Sequence, residues 1–190
     1  VKVSDLLANP NPNGGGVNLS NIQNLFVLEY TGTNASVQID DIRLQCAVNT
    51  EPEVWQQDQL CGISPKVAPI VPIGDTLDIY SDGLSLWPIF DCCGGVTINE
   101  VNDNGNNLLE ISYDNDPNTN TVTFFQSASP ADLSNFAGGT VEFDLQVLAQ
   151  PTNPAANPWM MKVDCVHPCS TGDVPLDQSV EGVLPQTGVW

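Results

Sequence analysis

Basic side chains are scarce in this sequence. Lysine and arginine together number 4 against 23 aspartate and glutamate residues, which gives a formal net charge of −19 at pH 7. Such a charge repels nucleic-acid phosphates and anionic membrane surfaces, so nucleic acid is excluded as a partner. The acidic balance fits a divalent-cation site, a saline external medium or solubility alone, and composition does not choose among these three.

Histidine is almost absent as well. The single histidine, His167, lies between Cys165 and Cys169, and the sequence contains no G-x-S-x-G, H-E-x-x-H or phosphate-binding glycine-loop motif. A nucleophilic triad needs a general base that this chain hardly supplies. A pair of carboxylates could still serve a glycosidase, but we expect a non-catalytic protein.

Long hydrophobic runs are also missing. The longest apolar stretch, residues 66–74, is interrupted by prolines and is too short to span a bilayer, so we expect no membrane insertion. No charged-then-apolar leader precedes Val1, which indicates a mature form or an excised segment. A chain of 190 residues can bury one sizeable core, and we expect a single domain over residues 1–190.

Apolar and polar residues alternate in several short segments separated by turn-forming residues. This pattern predicts half-buried antiparallel strands and an all-β sandwich. Strict alternation covers residues 36–44, 121–125 and 140–148, and the shorter strand candidates are residues 96–101, 108–113 and 159–163. Only residues 4–10 and 129–136 resemble a helical turn. Residues 47–74 lack strand periodicity and carry four prolines, which predicts an extended linker or covering strap.

The six cysteines form an even set in an acidic, lysine-poor chain. This favours disulfides in an oxidising compartment and therefore a secreted, extracellular protein. From local spacing alone we choose the pairs Cys46 with Cys61, Cys92 with Cys93, and Cys165 with Cys169. The last pair, with His167 between its members, could also be a metal knuckle, but zinc would need a fourth ligand and a reducing compartment.

Several longer motifs together resemble a known module. DTLDIYSDGLSLW with FDCCGG (75–95), WMMKVDCVHPCSTGDVPL (159–176), and SVQIDDIRL (36–44) after VNLSNI (17–22) are similar to the non-catalytic module of exo-1,3/1,4-β-glucanases. That module belongs to the galactose-binding-domain-like jelly rolls. The resemblance covers nearly the whole chain except residues 47–74. It implies a jelly-roll-like antiparallel β-sandwich with a carbohydrate-binding or accessory role and a β-glucan-like polysaccharide as partner.

The order of the segments departs from that family. Residues 75–190 would come first there and residues 1–46 would follow, so this chain is circularly permuted relative to the expected order. Read as one strand, GVW (188–190) and VKVSDLL (1–7) alternate without a break. Three accounts fit: a true permutant, one period of a tandem array, or a subunit whose residues 1–46 complete a neighbour's sandwich. The last would be strand donation in an extracellular filament or adhesin, with self-assembly through residues 1–46.

The resemblance also implies a calcium site where the first strand of such sandwiches meets the last, because calcium takes carboxylate and carbonyl oxygens. Alternation requires that one of Asp40 and Asp41 points inward, where a cation or hydrogen-bond donors must satisfy it. Arg43 or backbone amides are the alternative to calcium. The full set of candidate ligands is Asp40, Asp41, Asp75, Asp78 and Asp82.

Sugar binding would use aromatic rings that stack on pyranose faces, beside amides and carboxylates that bond the hydroxyls. Loops 102–107 and 114–120 carry suitable polar residues. The candidate aromatic residues are Trp55, Tyr80, Trp87 and Trp159. Packing in the core or under the strap is the alternative for each of them.

Overall fold

The chain forms two antiparallel β-sheets that pack face to face. A computed structural model describes residues 1–11, 16–30, 32–46, 76–92, 94–113, 121–152, 159–182 and 185–190. The regular elements are α1 (Val3–Ala8), β1 (Ile22–Tyr30), β2 (Ala35–Gln45), β3 (Thr76–Ser81), β4 (Leu84–Ser85), β5 (Ile89–Cys92), β6 (Val96–Asp103), β7 (Asn106–Tyr113), β8 (Thr121–Ala131), β9 (Thr140–Ala149), β10 (Trp159–Cys165) and β11 (Val174–Pro175). The predicted all-β sandwich is confirmed.

The five-stranded sheet is centred on β1. Its strand order is β11-β10-β1-β8-β5, so β1 pairs with β10 on one edge and with β8 on the other. Residues 25–30, LFVLEY, are buried without interruption. A strand that is buried on both faces reads as a continuous apolar run rather than an alternating one, and the alternation pattern therefore did not predict β1.

The six-stranded sheet is centred on β2. Its order is β4-β3-β2-β7-β6, and β9 pairs with the remaining edge of β2. The edge opposite β9 is shared, because residues 35–39 pair with β7 and residues 42–45 pair with β3. The partner changes at Asp40 and Asp41, where the register against β9 shifts and Asp41 has a φ of 48°. Aspartate tolerates this left-handed backbone better than most residues, and the resulting bulge bends the strand.

Aromatic rings join the two sheets in the core. Tyr30 of β1 stacks on Tyr113 of β7 at a centroid distance of 4.9 Å, and Trp159 of β10 lies 5.1 Å from Tyr30. Phe26 of β1 contacts Phe143 of β9 edge to face at 4.9 Å. Both contact points start from β1, so the strand that alternation did not reveal carries much of the packing between the sheets.

The described part of residues 1–46 packs within its own chain. It supplies α1, β1 and β2, and so the central strands of both sheets. The helical turn predicted over residues 4–10 is confirmed as α1. The turn predicted over residues 129–136 is mostly wrong, because β8 continues to Ala131 and only Ser134–Phe136 form a 3₁₀ turn.

The predicted strap at residues 47–74 lies outside the described residues. Within the described ranges, no helix has the length and hydropathy that a membrane crossing needs.

Gly139 marks a close approach of two backbones. A Cβ built there would collide with the carbonyl oxygen of Gln45 and would lie 3.3 Å from Cys46 Cα. We expect Gly139→Ala to lower the free energy of unfolding by about 1–3 kcal/mol, because backbone cannot move aside as a flexible side chain can. The matched control is Gly16→Ala, where nothing lies within 4 Å, and denaturant unfolding measures both. An equal loss for both variants would contradict the close approach.

Candidate functional site

The side chains on the outer face of the five-stranded sheet form ordered rows. On β1 and β10, Val27, Lys162 and Asp164 point away from the core, while their neighbours Leu28, Met161 and Val163 belong to it. Residues that lie opposite each other on neighbouring strands form a row across the sheet, with one residue from each strand. We call this surface the outer face.

An aromatic row crosses the outer face at β5 and β8. Phe90 lies opposite Phe124, and the ring centroids are 6.0 Å apart with an angle of 31° between the planes. Phe90 is 44% exposed. Val27 and Lys162 continue the same row across β1 and β10. Phe90 is therefore an exposed ring with a second ring beside it, whereas Val27 in the same row is only 1% exposed.

A polar row lies next to the aromatic row. Gln126 Nε2 donates to Asn24 Oδ1 at 3.2 Å, and Asn24 Nδ2 donates to Asp164 Oδ2 at 3.4 Å. Each amide retains a further N–H after making these bonds. Gln126 lies two residues beyond Phe124 on β8, a spacing of about 7 Å along a strand. The two rows thus place oriented hydrogen-bonding groups beside the rings.

A cluster of buried charged side chains lies on β1 and β10, at the other side of the outer face. Lys162 Nζ lies 3.4 Å from Glu29 Oε2, and Glu29 is only 6% exposed. Burial and the neighbouring Asp173 raise the pKa of Glu29, although Lys162 opposes them. Burial also raises the pKa of Asp164. Burial disfavours the Lys162 ammonium, but Asp164, Glu29 and Asp173 outweigh it and raise the pKa of that lysine.

This cluster predicts how stability depends on pH. A carboxyl group whose pKa is raised by folding stabilises fully below its unfolded pKa, and that contribution is lost as the pH rises through the folded value. Glu29→Gln holds the group neutral, so we expect a higher free energy of unfolding than wild type at pH 7. Its stability should also fall less between about pH 5 and 7, because the unfolded pKa of Glu is about 4.3. The control is Glu100→Gln at an exposed carboxylate of β6. Identical pH profiles for Glu29→Gln and wild type would refute this account.

The predicted sugar-stacking residues lie in the core. Trp87, Trp159 and Tyr80 are at most 2% exposed, and the Tyr80 hydroxyl donates to the carbonyl of Asn107 at 3.1 Å. None of these three rings offers a face to a sugar in this structure. Trp55 lies outside the described residues, and its role stays a prediction.

The outer-face rings were not among the predicted residues. A signal for them was present, because Phe124 and Phe125 are adjacent in an alternating strand and one of them must point outward. Phe125 is buried against Phe26 and Phe124 points outward.

Three of the predicted calcium ligands meet at the bulge of β2. Asp40 is buried, and its Oδ1 accepts hydrogen bonds from Asp41 N at 2.8 Å and Asp82 N at 3.2 Å. Its Oδ2 accepts one from Asn106 Nδ2 at 2.8 Å. Ser81 Oγ donates to Asp41 Oδ1 at 2.6 Å. The buried Asp40 carboxylate is therefore satisfied by two backbone N–H groups and the Asn106 side-chain amide. Backbone amides were one alternative to calcium.

The other predicted ligands do not join this group. Asp78 is exposed on β3 opposite Arg43, and Arg43 instead pairs with Glu142 at 3.1 Å. Asp75 lies outside the described residues. Among the residues that the structure describes, no cluster of three or more acidic, cysteine or histidine side chains is arranged for a metal ion. The donor set fits a hydrogen-bonded carboxylate, and calcium stays a prediction.

The cysteine prediction is confirmed where it can be followed. Cys165 and Cys169 form a disulfide with their Cα atoms 5.0 Å apart, so they are not two free thiolates for a metal knuckle. Cys46 and Cys92 are also disulfide-bonded. The predicted pairings of Cys46 with Cys61 and of Cys92 with Cys93 involve Cys61 and Cys93, which lie outside the described residues.

A second region is a groove of about 700 Å³ beside β9. Val1 and Trp190 both line it, so the two chain segments that alternate when read together border one surface. Asp41, Glu142, Asp144 and Glu181 make the groove acidic, with Arg43 as the cation. Burial and the carboxylates of Asp41 and Asp40 raise the pKa of Asp144, and Arg43 opposes them.

In comparisons with known proteins, no family model, curated protein or solved structure matches this chain. The likeness to the glucanase module therefore depends on the sequence motifs alone.

Proposed function

We propose that this chain is a non-catalytic carbohydrate-binding or accessory module of a secreted polysaccharide-active protein. Its binding surface is the outer face of the five-stranded sheet. The observation that carries the proposal is the exposed Phe90 ring, which lies beside Phe124 and is flanked by the hydrogen-bonded row of Gln126, Asn24 and Asp164.

The two rows match the two kinds of surface on a pyranose. The C–H face of the ring stacks on an aromatic side chain, and the equatorial hydroxyls bond amides and carboxylates. Neighbouring bonds already orient the amides of Gln126 and Asn24, so binding orders few additional side chains. A formal charge of −19 favours a neutral polysaccharide over an acidic one. A β-glucan-like chain meets both requirements.

The Cys165–Cys169 disulfide supports an oxidising, extracellular setting. The jelly-roll type of the sandwich and a stabilising calcium ion belong to the same proposal, as the glucanase likeness implies them. A structural role through strand donation is the second candidate, and it is supported by Val1 and Trp190, which border one groove beside β9.

The proposal is tested with Phe90→Ala. We expect its binding to insoluble β-glucan and to soluble laminarin to weaken at least about tenfold, since loss of one stacked ring removes about 1.4 kcal/mol. Phe90→Trp should bind as well as wild type because it restores a ring. The matched control is Leu84→Ala, which removes an apolar side chain that is 80% exposed but has no ring. Pull-down and titration calorimetry measure all three variants.

Either of two results would contradict the proposal. Wild type could bind no neutral glucan, or Phe90→Ala and Leu84→Ala could bind as tightly as wild type. Circular dichroism and an unchanged unfolding midpoint would show that Phe90→Ala is folded.

A further inference from the structure

The turn that follows β10 is closed by the Cys165–Cys169 disulfide. Thr171 N donates to Val163 O at 2.9 Å, so the chain reverses direction across this turn. Within the turn, Cys165 N donates to Cys169 O at 2.9 Å. Both cysteines are therefore held in place by a main-chain bond as well as by the bond between their sulfur atoms.

The two cysteines differ in their access to solvent. Cys165 is 3% exposed and lies opposite Ile22 of β1, which is fully buried. Cys169 is only partly buried and packs against the core from its border. In thiol–disulfide exchange, the incoming thiolate must reach the sulfur that it attacks. A reagent in solution therefore reaches Cys169 Sγ more easily than Cys165 Sγ.

One backbone N–H group faces both sulfur atoms. Asn18 N donates to Cys165 Sγ at 3.4 Å and to Cys169 Sγ at 3.3 Å. A neutral sulfur is a weak acceptor, whereas a hydrogen bond to an ionised acceptor is about twice as strong as one between neutral groups. The Asn18 N–H therefore stabilises a thiolate more than it stabilises the disulfide. A stabilised thiolate is a better leaving group in exchange.

Local hydrogen bonds hold Asn18 in this position. Its Oδ1 accepts bonds from Ser20 N at 3.1 Å and from Ser20 Oγ at 2.8 Å. Its carbonyl oxygen accepts a bond from Asn21 N at 3.0 Å, and Asn21 O accepts one from Val166 N, inside the disulfide loop, at 3.2 Å. The Asn18 N–H is thus oriented before any reaction begins, and a preoriented donor stabilises developing charge without reorganisation.

We infer that the Cys165–Cys169 disulfide is a site of thiol–disulfide exchange, in which Cys169 Sγ is attacked and Cys165 Sγ leaves as the thiolate. The reagent is a small thiol without negative charge, because the formal charge of −19 repels anionic thiols. The exposed Phe90 ring lies on β5, at the opposite edge of the five-stranded sheet from β10 and β11. The exchange site is therefore independent of the proposed glycan binding.

The exchange proceeds in two steps. The reagent thiolate, R–S⁻, forms a bond to Cys169 Sγ, and the bond between the two cysteine sulfurs breaks with its electron pair leaving on Cys165 Sγ. A second R–S⁻ attacks the reagent sulfur of this mixed disulfide and releases the Cys169 thiolate together with R–S–S–R. The two cysteine thiolates take up the two protons that the reagent thiols released. The protein disulfide gains two electrons, and the reagent is oxidised.

Trapping of the mixed disulfide in the full chain tests the site of attack. The folded protein is mixed with excess 2-mercaptoethanol, a neutral thiol, and quenched in acid at short times. Free thiols are then blocked with a maleimide, and peptide mapping by mass spectrometry separates this bridge from Cys46 and Cys92, which are also disulfide-bonded. We expect at least about ten times more adduct on Cys169 than on Cys165, because access decides which sulfur is attacked. Equal labelling, an adduct mainly on Cys165, or no adduct on either would overturn the inference.

Two substitutions at Asn18 isolate the contribution of its N–H. Asn18→Ala keeps the N–H and removes the side-chain bonds to Ser20, whereas Asn18→Pro removes both. We expect dithiothreitol to reduce the Cys165–Cys169 bridge of Asn18→Pro at least about threefold more slowly than that of Asn18→Ala, because the leaving thiolate loses its donor. Equal rates, or a faster reaction of Asn18→Pro, would contradict the inference. If circular dichroism shows that Asn18→Pro is unfolded, the adduct ratio in wild type decides.

Discussion

The carboxylate of Asp40 is buried at the point where β2 changes partners, and the arrangement of the six-stranded sheet depends on how it is satisfied. Its oxygens accept hydrogen bonds from Asp41 N, Asp82 N and Asn106 Nδ2. These donors belong to β2, to the turn between β3 and β4, and to the start of β7. A buried carboxylate without donors would be costly. The Asp40 carboxylate thus holds three chain segments together through its hydrogen bonds.

The bulge beside Asp40 has consequences on both sides of β2. On one edge it separates the part of β2 that pairs with β7 from the part that pairs with β3. On the other edge, the extra residue of the bulge belongs to β2 and not to β9. The hydrogen-bonding alternation of β9 is therefore uninterrupted from Val141 to Val147. The five-stranded sheet packs against this framework through β1, and the exposed ring of the proposed glycan surface, Phe90, lies on β5 at one edge of that sheet. The candidate functions therefore use opposite parts of one sandwich.

Sequence alone predicted the strands that have one solvent-exposed face. β2, β9 and β10 alternate because one side meets the core and the other meets solvent. β1 escaped because both of its faces are buried, and the tertiary environment removes the alternation. Alternation drew attention to Asp40 and Asp41, but a bulge interrupts the alternation there. The partner of Asp40, Asn106, lies 66 positions away, and no local pattern indicates it. Trp87 and Trp159 are buried in the core. The sequence did not indicate this, because a large aromatic ring suits a core as well as a ligand site and only the packing of the whole fold decides between the two. The Cys165–Cys169 bridge followed from a separation of 4 residues.

Asp40 is satisfied by two backbone N–H groups and the Asn106 side chain, and the six-stranded sheet depends on these bonds. The most direct measurement is the free energy of unfolding of Asn106→Ala in the presence of a calcium chelator, with Asn99→Ala on exposed β6 as the control. The account predicts a loss of about 1–3 kcal/mol for Asn106→Ala, because a buried acceptor loses its partner, and almost no change for Asn99→Ala. An Asn106→Ala variant as stable as wild type under chelation would contradict it.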